Sequence, residues 1–474
     1  MSVRHMLVVL TGIMITFGCS ALCFSTWGLF QPVVAEGLGV ETTAFAMYVT
    51  VMYLTMTVAS PFMGKLLQTM DIRIILSVSA CLVGGAFLLM SFSSEIWMFY
   101  LAAVLLGLGE ISILWLAIPT LINRWFADKA GTFIGLCMAF TGIGGAIWSA
   151  VFTALRSGGM DFHTIYLIWA VIALVTSLPF TLFCVRNSPE DCGLAPYGAS
   201  VAAGQAPAKP MGLSAAKAMK TPAFYAVCVC AGIINIAVLI AMQFPTYTKS
   251  LTDVTFDVLV VGGLMTTVMM VGQAIFKIIL GAVADKNAKG ALVFAFVCGV
   301  AGILLCWMGF ASEYMLYIGS FIFGAFYATA VVLVPIIVRQ SFGSREYSVI
   351  YSRVSTVFNL IAAFASMIWA WIGSSFGFNV VFIVGLVMLA LILMLGFFTF
   401  FQVLASISPD FLDRAGFWKP IVISVTVLTY VPILWWFGRL VAGIAGGGSD
   451  WWLVTSWMPF HFFAAFCAWG LREI

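Results

Sequence analysis

The chain has 474 residues, 63% of them hydrophobic and only 8% charged, and its 21 basic and 18 acidic residues leave a formal net charge of +3. Soluble domains carry about a quarter charged residues, so a water-soluble protein is excluded, and a charge this small gives no reason to expect a nucleic-acid partner. In lipid the backbone must be satisfied within helices or closed barrels, and barrel strands would be short and alternating. The composition therefore predicts an all-α polytopic membrane protein.

About fourteen apolar runs are long enough to cross a bilayer. The first, from about Met6 to Phe30, is too long for a signal-peptide core and lacks a small-residue cleavage site, so it is expected to remain as a span. Six runs fall within residues 1–186 and predict an N-terminal six-helix bundle. Residues 187–220 are rich in Ala, Gly and Pro and read as a cytoplasmic linker. Six more runs fall within 221–402 and predict a second six-helix bundle. Residues 403–474 hold two further runs, about 418–441 and 451–471, separated by Gly446, Gly447 and Gly448. With Trp435, Trp436, Trp451 and Trp452 at interfacial positions, they read as an appended transmembrane hairpin.

Cysteines such as Cys81, Cys137, Cys298 and Cys467 lie in spans, with Cys192 the loop exception, so no disulfide framework is expected. Cys228 and Cys230 form an isolated C-x-C that reads as packing. The histidines His5, His163 and His461 are scattered and do not suggest haem ligation. No metal and no cofactor is expected.

The loops alternate in charge. One set carries Arg4, Lys65, Arg73, Arg124, Lys129, Arg186, Lys209, Lys217, Lys220, Lys286, Lys289, Arg339 and Arg345; the other carries Glu36, Glu41, Glu95, Asp161, Asp253, Asp257 and Glu313, with only Arg156 and Lys249 on the basic side. The positive-inside rule then predicts a multi-pass protein of the plasma membrane, of the bacterial inner-membrane type, with both termini cytoplasmic.

Three ionisable residues interrupt the apolar runs: Glu110, Lys277 and Arg353. A charge at mid-span costs ~2.5–3.5 kcal/mol even on the mildest scales, so such residues are expected to pair or to face a wet, protein-lined cavity. Glu110 lies mid-span and must be protonated, paired or wet. It reads as a coupling residue for protons, as a counter-charge for Lys277 or Arg353, or as a hydrogen-bonded structural acid. Lys277 and Arg353 read either as anion-binding groups or as side chains snorkelling to the surface. Gln273, one turn before Lys277, and Tyr351, two residues before Arg353, are the polar candidates beside them. Trp115 and Trp148 are weaker ones, and Gly142, Gly144 and Gly145 read as permitting close helix approach.

The two six-run groups echo each other. Gly64-Lys-Leu-Leu-Gln-Thr-Met-Asp-Ile-Arg73 follows the second run, and Gly281-Ala-Val-Ala-Asp-Lys-Asn-Ala-Lys289 follows the eighth. Duplicated halves around a central site are how many transporters are built. These loops resemble the major facilitator superfamily motif G-x-x-x-D-R-x-G-R-R/K. The second copy keeps Gly281, Asp285, Lys286 and Lys289; the first keeps Gly64 and Arg73 but has Gln68 and Thr69 where Asp and Arg are usual. Trp27-Gly-Leu-Phe-Gln-Pro-Val-Val-Ala-Glu36, Trp125-Phe-Ala-Asp-Lys-Ala-Gly131 and Pro189-Glu-Asp-Cys-Gly-Leu-Ala-Pro-Tyr-Gly198 are similar to the oxalate/formate antiporter and monocarboxylate transporter branch.

That resemblance implies two six-helix bundles that rock about a central site. It also implies a basic residue four positions before the exit glycine of the eighth helix, at Lys277, and another in the eleventh, for which Arg353 is the candidate. The expected function is secondary active transport of a small organic anion, a mono- or dicarboxylate, by antiport or proton symport. The alternatives are a carrier of an unrelated amphiphile and a non-transporting receptor or assembly subunit. No nucleophile, base and orienting group cluster in any loop, so no enzyme is expected.

Overall fold

The computed structural model describes residues 1–199, 212–252 and 254–407. Most of the expected terminal hairpin lies outside these residues. Residues Met1–Phe400 form one compact unit that holds the first six-helix group and all of the second but the end of its last helix.

Among the described residues there are twelve long helical rods and no strand. The first group is α1 (Val3–Leu38), α2 (Thr42–Thr69), α3 (Ile72–Ser91), α4 (Ile96–Trp125), α5 (Ala130–Ser157) and α6 (Phe162–Phe183). The second is α7 (Pro222–Lys249), α8 (Val258–Lys286), α9 (Ala288–Ala311), α10 (Glu313–Phe342), α11 (Tyr347–Phe376) and α12 (Phe378–Ile407). Eleven helices are long and apolar enough to cross a bilayer. The further helix, α2, has 28 residues, about 42 Å at 1.5 Å per residue, and so has the length for the same crossing.

The helix ends follow from local chemistry. Asp71 caps α3, Asp161 caps α6, Asn287 caps α9 and Ser312 caps α10, each side chain accepting a backbone N–H of the first turn. Thr221 caps α7 with Pro222 at its first position, where the missing N–H costs nothing. Gly39 ends α1 in the left-handed region. Outward faces are apolar: Leu167, Val171 and Val175 recur every fourth residue along α6 and are exposed, as lipid rather than water requires.

Packing repeats between the groups. In the first, α1 lies on α5, α2 on α4 and α3 on α4; in the second, α7 lies on α11, α8 on α10 and α9 on α10. The equivalence extends to the joint between them, where α5 packs on α8 and α2 on α11. This is the structural counterpart of the duplicated glycine loops.

Both seams are tight at the end of the unit where the basic loops gather. Gly281 of α8 lies so close to the Gly131 carbonyl of α5 that a side chain at 281 would overlap it. Gly64 of α2 sits the same way against Ser348 and Ser352 of α11. Farther along, Gly142 meets Met270 and Ala274 of α8, while Gly144 meets Ala21 and Phe17 of α1 and Gly145 meets Ser25 of α1. The glycines read from the sequence as contact points therefore divide between the seam and the group interior.

Several rods are not regular throughout: α7 tightens to a 3-10 helix over Leu239–Gln243, and α9 ends in one over Met308–Ala311. Thr16–Ser20 in α1 and Ile111–Ala117 in α4 are π-helical. Such segments are uncommon and often mark functional positions.

The stretch after α6, expected as a linker, is docked where it is described. The Asn187 Oδ1 accepts from Arg124 at 2.5 Å and from the Ile72 amide at 3.3 Å. The Tyr197 amide donates to the Trp125 carbonyl, and its carbonyl accepts from Ala127 and Asp128. On the other side, the Leu213 amide donates to the Phe342 carbonyl and the Ala215 amide to Glu346 Oε2, at 2.9 and 2.8 Å.

Candidate substrate site at the helix seams

Lys277 is 2% exposed, nine residues before the last residue of α8. Snorkelling would free its ammonium at the surface. Instead, Nζ donates to Thr141 Oγ1 of α5 at 2.6 Å, across the seam between the groups. Gln273, one turn earlier, is also buried. A lone hydroxyl is thin compensation for an ammonium taken out of water, which costs several kcal/mol.

Glu110 is fully buried at the junction between the α-helical start of α4 and its π segment. It is 14 residues from Ile96 and 15 from Trp125, roughly 21–23 Å from either end. Its Oε2 accepts from Ser20 Oγ at 2.7 Å, and its Oε1 has no partner. Ser20 closes the π segment of α1, so this bond ties the two π segments together.

Arg353 is partly exposed near the start of α11, with Nε buried and unpartnered. Tyr351 is fully buried and its hydroxyl also has no partner. Among the described residues no ion pair joins any two of Glu110, Lys277 and Arg353. The counter-charge reading of Glu110 thus finds no contact in this form of the protein. Glu110 belongs to the interior of the first group, whereas Lys277 belongs to the seam.

The repeated loops carry different chemistry. Asp285 accepts the Gly131 amide at 2.6 Å, the Thr132 amide at 2.7 Å and the Thr132 hydroxyl at 2.7 Å. One carboxylate from the second group therefore caps α5 of the first, where the helix dipole favours a negative charge. Lys129, in the left-handed region at φ 56°, makes the turn that aims those amides. Lys286 and Lys289 are exposed.

In the first copy the residue equivalent to Asp285 is Gln68, and it is exposed. Arg73 turns to its neighbour Asp71, with a shortest contact of 2.8 Å. Partial burial pushes the Asp71 carboxyl up, but hydrogen bonds from Arg73 and its charge outweigh this and hold it below its ordinary value. At the same end, Arg339 of α10 donates to Asn123 Oδ1 at 2.9 Å and to the Phe126 carbonyl at 3.3 Å. The basic end is thus closed by α2–α11, α5–α8 and α4–α10 contacts.

Sequence reading singled out Lys277, Gln273, Glu110, Arg353 and Tyr351, but it missed Thr141, Ser20 and Asn359. Asn359 is fully buried on α11, with neither its amide nitrogen nor its oxygen bonded. An asparagine within an apolar run was the available signal. A cavity of about 350 Å³ is lined by Phe256, Asp257, Glu313 and Tyr314 among others, at the helix ends away from the basic loops. It belongs to a different region from Lys277.

Comparison with known proteins places the architecture. An uncharacterised transporter of Escherichia coli K12, YhjX, is 23% identical over 167 residues, covering 35% of this chain and 41% of that protein. The multidrug resistance protein MdtG of an Escherichia coli O6 strain is 28% identical over 191 residues, covering 39% of this chain and 45% of MdtG. The chain thus matches less than half the length of either relative. The human organic anion transporter MFSD10 (TETRAN) superposes with a TM-score of 0.61 at 14% identity, over 83% of this chain and 99% of that one, a likeness of fold. The Major Facilitator Superfamily model matches residues 13–264 and 259–466. With matches in both halves of the duplicated helical plan, the chain belongs to the Major Facilitator Superfamily.

Proposed function

We propose that the protein is a secondary active transporter that moves a small organic anion across the cytoplasmic membrane by alternating access. The observation that carries this reading is the Lys277 ammonium, buried on the seam between the groups with Thr141 as its hydrogen-bond partner. A carboxylate reaching that point would replace a weak neutral partner with a full counter-charge, while rocking of residues 1–186 against 221–402 would open the seam. The resemblance to the oxalate/formate and monocarboxylate branch supports this substrate class, with Arg353 proposed as a second basic group. The basic end, in this reading cytoplasmic together with both termini, is closed, so the described form is the one shut toward the cytoplasm.

Glu110 is the coupling residue in this proposal. Its buried position, its unpartnered Oε1 and its link to the α1 π segment through Ser20 suit a group that takes up and releases a proton as the first group changes shape. Symport with a proton follows if Glu110 titrates during turnover; antiport follows if it does not.

A second reading is supported by the relatives whose name is multidrug resistance protein: export of an amphiphile without a fixed anionic group. Counterflow in proteoliposomes separates the two. Labelled mono- and dicarboxylates are expected to exchange through the wild type, and Lys277→Gln to lose that exchange while Lys277→Arg keeps part of it. Full exchange by Lys277→Gln would count against the anion site. Absence of any solute exchange would favour a receptor or assembly subunit.

A further inference from the structure

Two stretches far apart in the chain, residues 125–131 and 189–198, lock together at the basic end. Phe126 and Tyr197 form a parallel β-bridge. The Tyr197 amide donates to the Trp125 carbonyl at 2.8 Å, and the Tyr197 carbonyl accepts from Ala127 and Asp128 at 2.9 and 3.1 Å. Gly198 follows at φ 81°, and a side chain there would overlap Asp128. Only glycine suits both that conformation and that approach.

The start of α1 closes the joint. His5 is 5% exposed, and its ring meets Trp125, Phe126 and Tyr197 edge-on, with centroids 5.5, 5.7 and 6.1 Å apart. The Ser2 amide donates to Nδ1 at 3.3 Å, while Nε2 lies 3.3 Å from the Ala195 carbonyl. A neutral ring carrying its proton on Nε2 makes both bonds.

The second group grips this same turn. Arg339 of α10 donates to the Phe126 carbonyl at 3.3 Å, and Asp285 of α8 accepts the Gly131 and Thr132 amides at 2.6 and 2.7 Å. Phe126 is already in extended backbone past the end of α4, where no helical ladder sets the direction of its carbonyl. Hydrogen bonds weaken steeply as their angle closes, so the grip of Arg339 depends on whatever holds the turn still.

We propose that residues 195–198, the arm, and His5 are positioning groups for the gate at the basic end. They hold the turn at 126–128 where Arg339 and Asp285 close on it, and releasing the arm opens that end with nothing changed at Lys277. The proposal rests on the alternating-access reading above and is independent of what is carried.

The test uses the full chain in proteoliposomes with a reporter cysteine at one of two places on the α2–α11 seam. One is Ser352, beside Gly64 near the basic end; the other is Thr50, whose hydroxyl meets the Ala363 carbonyl toward the opposite end. Gly198→Ala and Tyr197→Leu should speed labelling at 352 about two- to tenfold, the worth of one hydrogen bond. Both should slow labelling at 50, because a population shift trades one opening for the other. Tyr197→Phe keeps the ring and should match the wild type. Loosening of the fold would speed both positions, and that outcome, or labelling unchanged at both, overturns the positioning role. A second measurement combines Gly198→Ala with Arg339→Gln. An arm that works through the turn adds little once Arg339 is gone, whereas full additivity would show that it acts elsewhere. If Asp285→Asn and Arg339→Gln by themselves leave both reporters unchanged, the alternating-access gate at this end fails, a result distinct from silence of the arm variants alone.

Discussion

The Lys277 ammonium and the Thr141 hydroxyl stand 2.6 Å apart, one from each helical group, so the charge of the candidate anion site is parked on the seam that opens in the proposed cycle. Thr141→Val removes that partner with little change of volume. A hydrogen bond to a buried charge contributes about 1.5–3 kcal/mol, so the melting temperature of the empty protein should fall. Anion affinity should hold or rise, because the incoming carboxylate no longer competes with the hydroxyl. A variant with unchanged melting and weakened anion binding would place Thr141 on the substrate rather than on Lys277.

Asp285 makes three hydrogen bonds to the first turn of α5. Asp285→Asn keeps the shape but loses the charge and at least one acceptor. The closed basic end should weaken by ~1–2 kcal/mol, read as faster thiol labelling of a cysteine placed at Ser352. The first copy of the motif predicts the opposite change. Gln68→Asp puts an acid at the motif position equivalent to Asp285 and should slow both that labelling and transport turnover. Faster labelling in Gln68→Asp would argue that the two loops are not equivalent.

Glu110→Gln separates coupling from binding. Glutamine can still accept from Ser20, so exchange of substrate for substrate should persist, while uptake driven by a pH gradient is lost. Equal losses in both assays would remove the coupling role. Ser20→Ala supplies the structural control: it strips the carboxyl of its hydroxyl partner and should lower stability by about 1–3 kcal/mol without abolishing exchange.

Asn187 ties the segment after α6 to Arg124 and to the start of α3. Asn187→Leu leaves the half-buried Arg124 guanidinium with the Leu67 carbonyl as its hydrogen-bond partner among the described residues. A drop in melting temperature corresponding to about 2–3 kcal/mol is expected, with the KM for substrate unchanged. An altered KM with normal melting would instead tie this anchor to the substrate cycle.

Much of the helical plan could be read from the chain because lipid makes length and hydropathy nearly sufficient, although the first run, read to about Phe30, continues as helix to Leu38. The duplicated loops around Gly64 and Gly281 could be read for the same reason, since close helix approach demands glycine. Lys277 and Glu110 stood out as charges against an apolar background. Their partners did not. Thr141 and Ser20 are ordinary hydroxyls in apolar helices, and only the fold decides which faces a charge. The π segments leave little mark in hydropathy, because their residues are as apolar as those around them. The anchors at Asn187 and Tyr197 were hidden in a composition that reads as flexible, since backbone hydrogen bonds carry most of the docking.

The π segment of α4 has a genetic corollary. A regular helix advances about 100° per residue, and a π turn absorbs an additional residue without breaking the rod. Removing any one codon between those for Ile111 and Ala117 would give that residue back and leave a regular helix of spanning length, with Glu110 close to its present face relative to Arg124, which is moored to Asn187 and Leu67. Removing a codon from the regular stretch Ile118–Trp125 would instead swing Glu110 by about that angle and point the acid away from Ser20. A one-residue gap within the π segment in a related gene would mark a carrier that has lost the π turn and kept its phase.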